Sequence, residues 1–253
     1  MKNVEDNANR ATVTPWAATV RLDRLDALRG LAVVWMTVFH FCFDLAHFRL
    51  IEADFHRDPF WLHQRTAIVS LFLFCAGLAQ AVAMAGHQGW PRFWRRWRHI
   101  AACAVLVSLG SALMFPQSWI SFGVLHGIAV MLIVLRLSAG CGRWLWPLGL
   151  VALLLPQLVQ LPFFDTRLTN WVGLVTRKPV TEDWVPVLPW LGVMWWGLAT
   201  GRWLIGHRPG WLGGPLPSGL SPLARLGRWS LPWYMLHQPV LIGALMLHQQ
   251  FAR

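Results

Sequence analysis

Within the apolar stretch from Ala27 to Phe48, His40, Asp44 and His47 recur at i, i+4 and i+7, which sets them on one helical face. A stretch of about 20 residues crosses a hydrocarbon core. An ionisable side chain near its centre costs roughly 2.5 to 3.5 kcal/mol on insertion scales, so such a face points into protein or a wet cavity. Two more histidines lie in apolar surroundings. His126 sits roughly 10 Å into its span and His40 about 12 Å from the same side of its own, at 1.5 Å per residue, so the two imidazoles can share a depth. His237, in WYMLHQPV, is mid-way along the last apolar segment, between Pro232 and Pro239, which free backbone groups and permit a kink. Together they could make a polar centre in which the Asp44 carboxylate orients one imidazole and leaves its other nitrogen as a general base near neutral pH. The same residues could relay protons for transport, or simply satisfy one another between helices.

Charged groups near the span ends form a second set. Asp26 and Arg29, at i and i+3, can pair, with Gly30 allowing close helix contact. Arg65 opens the second span, where it could neutralise Asp44, meet an anionic group or snorkel. The run RFWRRWRH, with Arg92, Arg95 and Arg96, interleaves arginine and tryptophan; it suits anionic lipid headgroups, and alternatively the phosphates of a cofactor. His56, between Asp54 and Asp58, and His63 belong to a loop, and Asp165, Glu182 and Asp183, the acids of the longest loop, receive no role. Neither GxGxxG nor a Walker loop occurs. Cys42, Cys75, Cys103 and Cys141 have no metal-ligand or CxxC spacing, so neither a disulfide framework nor a metal site is indicated.

The elements that must carry these residues are membrane helices. With 56% hydrophobic and 13% charged residues and a mean hydropathy of +0.45, the 253-residue chain is too apolar for a soluble domain. The net charge of +11 would suggest nucleic acid in a soluble protein, but the basic residues cluster in loops, which argues against that partner. The expected fold is all-α, a polytopic bundle of about seven spans near 27–48, 67–85, 99–115, 119–137, 144–161, 187–205 and 229–248. Arginine is enriched on alternate sides, which puts the N-terminus in the cytoplasm and His40 and Asp44 in the outer half of the first span. Many of the 18 tryptophans fall near span ends, as an interfacial belt does. Residues 1–20 read as a cytoplasmic tail before an uncleaved signal anchor, and 21–253 as one domain. The stretch GHRPGWLGGPLPSGLSP, from Gly206 to Pro222, reads as a flexible linker, and GLAQAVAMAG as a helix-packing segment.

Five segments carry a resemblance. DALRGLAVVWMTVFHFCFDL, SLFLFCAGLA, ISFGVLHGIAV, VLPWLGVMWWGLATGR and LGRWSLPWYMLHQPVLIGAL run in that order from about Arg21 to Leu247. They resemble bacterial members of the heparan-α-glucosaminide N-acetyltransferase catalytic-domain family. The resemblance implies a multi-pass acyltransferase of the bacterial inner membrane. Such an enzyme moves an acetyl group from cytoplasmic acetyl-CoA to an amino sugar or other amine or hydroxyl acceptor on the outer side, with a histidine central and no metal. Lysosomal relatives carry that histidine in the loop after the first helix, where His56 stands here. On this reading His40 or His56 is the base and Asp44 orients it or stabilises the imidazolium. His126, His237, Arg65 and Trp190 line the acceptor pocket, and Asp26, Arg29, Arg92, Arg95 and Arg96 bind the cofactor, the arginines meeting the CoA phosphates. The implied partners are membrane lipids, acetyl-CoA and a small sugar-like acceptor, and a homo-oligomer is compatible with the sequence. Proton-coupled small-molecule transport through the same His and Asp residues is the alternative.

Overall fold

The computed structural model describes residues 22–181 and 183–251; the N-terminal tail and Glu182 lie outside the described residues. These residues form helices and connecting turns: α1 (Asp23–His47), α2 (Pro59–Ala85), α3 (Trp90–Met114), α4 (Val124–Leu137), α5 (Leu145–Leu158), α6 (Val187–His207), α7 (Pro209–Gly213), α8 (Ser221–Arg228) and α9 (Ser230–Phe251). Among them, four stretches are long and apolar enough to cross a membrane: α1, α2, α3 and the continuous run Val124–Leu158. The last of these is two helices, because the chain reverses through a 3-10 turn, Ser138–Trp144, where Gly142 takes a φ of +55°. α6 and α9 also have the length; α6 carries four tryptophans and Arg202, and α9 carries His, Gln and Pro residues.

Contacts fix the helix directions. Trp35 donates to Gln64 at 2.8 Å and Phe39 meets Trp61, so α2 runs antiparallel to α1. Phe74 lies against Gly197 and Leu78 against Gly201, so α6 runs parallel to α2. Gly127 faces Val185, just ahead of α6, and Ala139 faces Arg202, so α4 is parallel to α6; Gly149 on Gly192 makes α5 antiparallel to it. Trp233 reaches Thr37, Gln238 reaches Asp44 and Gln249 reaches Phe48, so α9 runs parallel to α1.

Small residues set these approaches. A Cβ on Gly77 would sit 2.2 Å from the Met194 carbonyl oxygen, and one on Gly192 would sit 2.4 Å from that of Gly149; side-chain-free positions let membrane helices close to van der Waals contact. Around this α2–α4–α6 seam, Leu73, Met131, Leu135, Met194 and Leu198 are buried. On α1 the faces divide cleanly: Ala32, Val33 and Met36 are buried while Leu31, Val34, Val38 and Phe41 are exposed, as a lipid-facing stripe would be.

The 206–222 stretch is not a flexible linker. α7 and a 3-10 turn, Ser218–Leu220, lie within it, Leu212 is fully buried, and Arg24 donates to the carbonyls of Trp211 and Pro215. α8 then lies on the first half of α1, where Gly30 meets the Leu223 carbonyl and Gly227 that of Asp26. The close packing falls on Gly30 and Gly227, at the α1–α8 contact.

The connections are similarly pinned. Asp58 caps α2, accepting from the Phe60 amide at 2.8 Å, with Pro59 at the first helical position. Asp58→Ala is expected to cost about 1 kcal/mol, read as a fall of about 2–4 °C in the thermal midpoint; an unchanged midpoint would mean that the cap does not stabilise α2. In the longest loop, Thr176 hydrogen-bonds Asp165 with its side chain and backbone and holds that carboxyl below its usual range.

Candidate active site

α1 and α9 bring His40, Asp44, His237 and Gln238 together. The rings of His40 and His237 stand edge to face with centroids 5.1 Å apart. Gln238 Nε2 donates to Asp44 Oδ1 at 2.7 Å, and Asp44 is 2% exposed. His237 Nδ1 lies 2.8 Å from the Tyr234 carbonyl oxygen. A carbonyl only accepts, so this nitrogen carries the hydrogen and Nε2 carries the lone pair.

Four buried atoms of this cluster have no hydrogen-bond partner among the described residues: His40 Nδ1, Asp44 Oδ2, His237 Nε2 and Gln238 Oε1. An unpaired buried polar atom costs on the order of 1–3 kcal/mol, so four in one place mark a site for a ligand more readily than a packing accident. Three of the four are fixed as acceptors: the carboxylate oxygen, the amide oxygen and His237 Nε2. They match a group rich in donors, such as an amine or neighbouring hydroxyls.

Tyr234, one turn before His237 on α9, extends the centre. Its ring lies 5.8 Å from that of His237, and its hydroxyl hydrogen-bonds the Asp183 carboxylate. Asp183 enters from the loop before α6 and also accepts from the Val124 amide at 2.7 Å, at the start of α4. Burial pushes this carboxyl up from its ordinary value, while the Val124 amide, Arg65, Tyr234 and Lys178 oppose the rise. Burial likewise lowers Lys178. The irregular backbone between α3 and α4 is satisfied by hydroxyls: Ser108 donates to the Ile120 carbonyl and Ser111 accepts the Ile120 amide, which non-helical backbone inside a bundle requires.

The other expected site residues fall elsewhere. Arg65 is near enough to Asp183 for their charges to interact. His126 is held locally, its Nε2 3.1 Å from the Ser108 hydroxyl and its Nδ1 accepting from the Gly123 amide. His56 is exposed in the loop after α1, its amide donating to Asp54 and its ring 6.2 Å from Phe43. Trp190 packs against the main apolar core, and His47 is exposed. At the far end of α1, Arg29 pairs with Asp26 at 3.0 Å. Arg92, Arg95 and Arg96 are all exposed on α3, and Arg96 is near enough to sense both charges. Among the described residues no three His, Cys, Asp or Glu side chains are grouped to hold a metal ion.

Sequence reasoning missed Gln238, Tyr234 and Asp183. The WYMLHQPV segment held a signal for the first two: Tyr234, His237 and Gln238 fall at i, i+3 and i+4, one helical face. Nothing local marks Asp183, whose partners are 59 and 51 residues away in sequence.

No match is found among curated proteins or solved structures. The family model described as heparan-alpha-glucosaminide N-acetyltransferase, catalytic, matches residues 21–239, a region that holds His40, Asp44, Asp183, Tyr234, His237 and Gln238. With apolar helices of membrane length and a family match over most of its length, the chain is an integral membrane protein that belongs to the heparan-alpha-glucosaminide N-acetyltransferase catalytic family.

Proposed function

We propose that this protein transfers an acetyl group from acetyl-CoA, presented at the Asp26–Arg29 end of the bundle, to an amine or hydroxyl of a sugar-like acceptor reached from the other side. The observation that carries the reading is the cluster of unpartnered acceptor atoms at the α1–α9 contact. The acceptor nitrogen or oxygen attacks the thioester carbonyl carbon and gives its proton to His237 Nε2. The C–S bond then breaks, the new amide or ester forms, and the thiolate takes up a proton to leave as CoA. Asp44 Oδ2 and Gln238 Oε1 would orient the acceptor's donors, a positioning effect that lowers the entropic part of the barrier. His40, against the His237 ring, is placed to assist either proton transfer. Arg29 and Arg96 suit the phosphates of the donor. His56, exposed with its ring against Phe43, is set aside as the base.

The direction of transfer follows from topology. Trp97 on Ala129 and Ser108 on His126 set α3 antiparallel to α4, so helix directions alternate from α1 through α6, and α9 parallels α1, which supports seven crossings with the two ends of the chain on opposite sides. The arginine bias then puts the N-terminus in the cytoplasm, and the inner membrane of a bacterium is the location we infer.

The test is CoA thiol release by the detergent-purified protein given acetyl-CoA and a panel of amino sugars and sugar alcohols. Release that requires both donor and acceptor supports acyl transfer. Proton-coupled flux in proteoliposomes without thioester cleavage would overturn it in favour of transport.

A further inference from the structure

A cleft of about 230 Å³ opens between α5 and α6 at the 3-10 turn, lined by Gly142, Arg143, Trp146, Ala199, Arg202 and Trp203. It is remote from the polar centre and its charge is all of one sign. The two ion pairs found among the described residues join Asp26 to Arg29 and Asp23 to Arg228, so neither Arg143 nor Arg202 is neutralised. Arg202 uses one nitrogen on the Ala139 carbonyl and keeps its other donors; the Arg143 side chain makes no hydrogen bond to another described residue. Gly142 leaves the floor clear, with nothing within 4 Å of the place a Cβ would take. Trp146 and Trp203 form the walls, 45% and 50% exposed.

From Trp146 an apolar stripe continues along α5 through Leu150, Leu154 and Leu158, at successive i+4 steps, each of them exposed. Two guanidiniums without an acidic partner, between indole walls and continuous with an acyl-length apolar track, describe an amphiphile with an anionic head. We propose that this cleft binds the phosphate of an anionic phospholipid, with one acyl chain lying along the α5 stripe. Arginine forks bind phosphate oxygens in pairs, basic pockets between membrane helices take such headgroups, and indole rings settle at that depth. The proposal is independent of acyl transfer.

The experiment uses the delipidated full chain in neutral detergent, with native mass spectrometry and thermal unfolding. Phosphatidylglycerol should remain bound through gentle activation and raise the unfolding midpoint by about 5 °C near saturation. Phosphatidylcholine and inorganic phosphate should do neither, since one lacks the net charge and the other the chain. Arg143→Gln, at an exposed position, should weaken phosphatidylglycerol retention about tenfold, the loss of one charge-assisted pair, while Arg225→Gln on α8 should leave it unchanged. Equal effects of phosphatidylcholine, an equal shift by inorganic phosphate, or full retention by Arg143→Gln would each overturn the proposal. Should Arg143→Gln prove unstable, Leu154→Asn on the stripe should lower retention instead, and its failure to do so would likewise count against the site.

Discussion

His237→Gln is expected to lower the rate of CoA release at saturating donor and acceptor by at least about 10²-fold with the fold retained, the usual contribution of a positioned general base. Glutamine can still donate to the Tyr234 carbonyl, so the bond that anchors the side chain on α9 survives. What disappears is the Nε2 lone pair, the buried acceptor that has no partner among the described residues. The loss should fall on kcat rather than KM, because the proton moves only in the transition state. His40→Gln and Asp44→Asn should also lower the rate but by less, since each leaves the His237 base in place, and His56→Ala should leave it unchanged. Full activity in His237→Gln with activity lost in His40→Gln would transfer the base to α1 and keep acyl transfer; full activity in both would remove the α1–α9 cluster from the chemistry.

Gly227→Val should separate α8 from α1. A Cβ at position 227 would sit 1.8 Å from the Asp26 carbonyl oxygen, and one at position 30 would sit 1.9 Å from that of Leu223. Both obstacles are backbone, so no rotamer change relieves them and the helices must move apart. Overpacking costs 1–3 kcal/mol where side chains can yield, and about 3 kcal/mol is expected where they cannot. Separation also breaks the Asp23–Arg228 pair, whereas the Asp26–Arg29 pair lies within α1 and stays. The measurement is the thermal midpoint together with limited proteolysis of the 206–222 connection, which should become cleavable. Gly219→Ala, with nothing within 4 Å, is the control and should change neither. An intact midpoint in Gly227→Val would mean that α8 is not docked on α1.

How much of this was legible follows from range. The His40–Asp44 face could be read because helical periodicity is local, and the seven segments lie where helices α1 to α6 and α9 form. His237 was visible as an imidazole in an apolar run. Its pairing with His40 was not, because contacts between helices depend on which faces meet. Glycine and proline misled between Gly206 and Pro222: their usual meaning is a turn or linker, yet Gly227 just beyond, with Ala224 and Leu212, belongs to a tight interface. Asp183 was passed over as one loop acid among three, since only the folded chain carries it to Val124 and Tyr234. His126, which reads in the sequence as a pocket-lining histidine, makes its hydrogen bonds to Ser108 and Gly123 close by.

The pairing of α1 with α9 also orders events during synthesis. Asp44 and Gln238 are 194 residues apart, so the ribosome releases nearly the whole chain before the carboxylate gains its amide partner. Until then α1 waits with His40 and Asp44 uncovered, in a solvent that penalises both. Chains interrupted before α9 therefore carry a standing mark of incompleteness in their first helix.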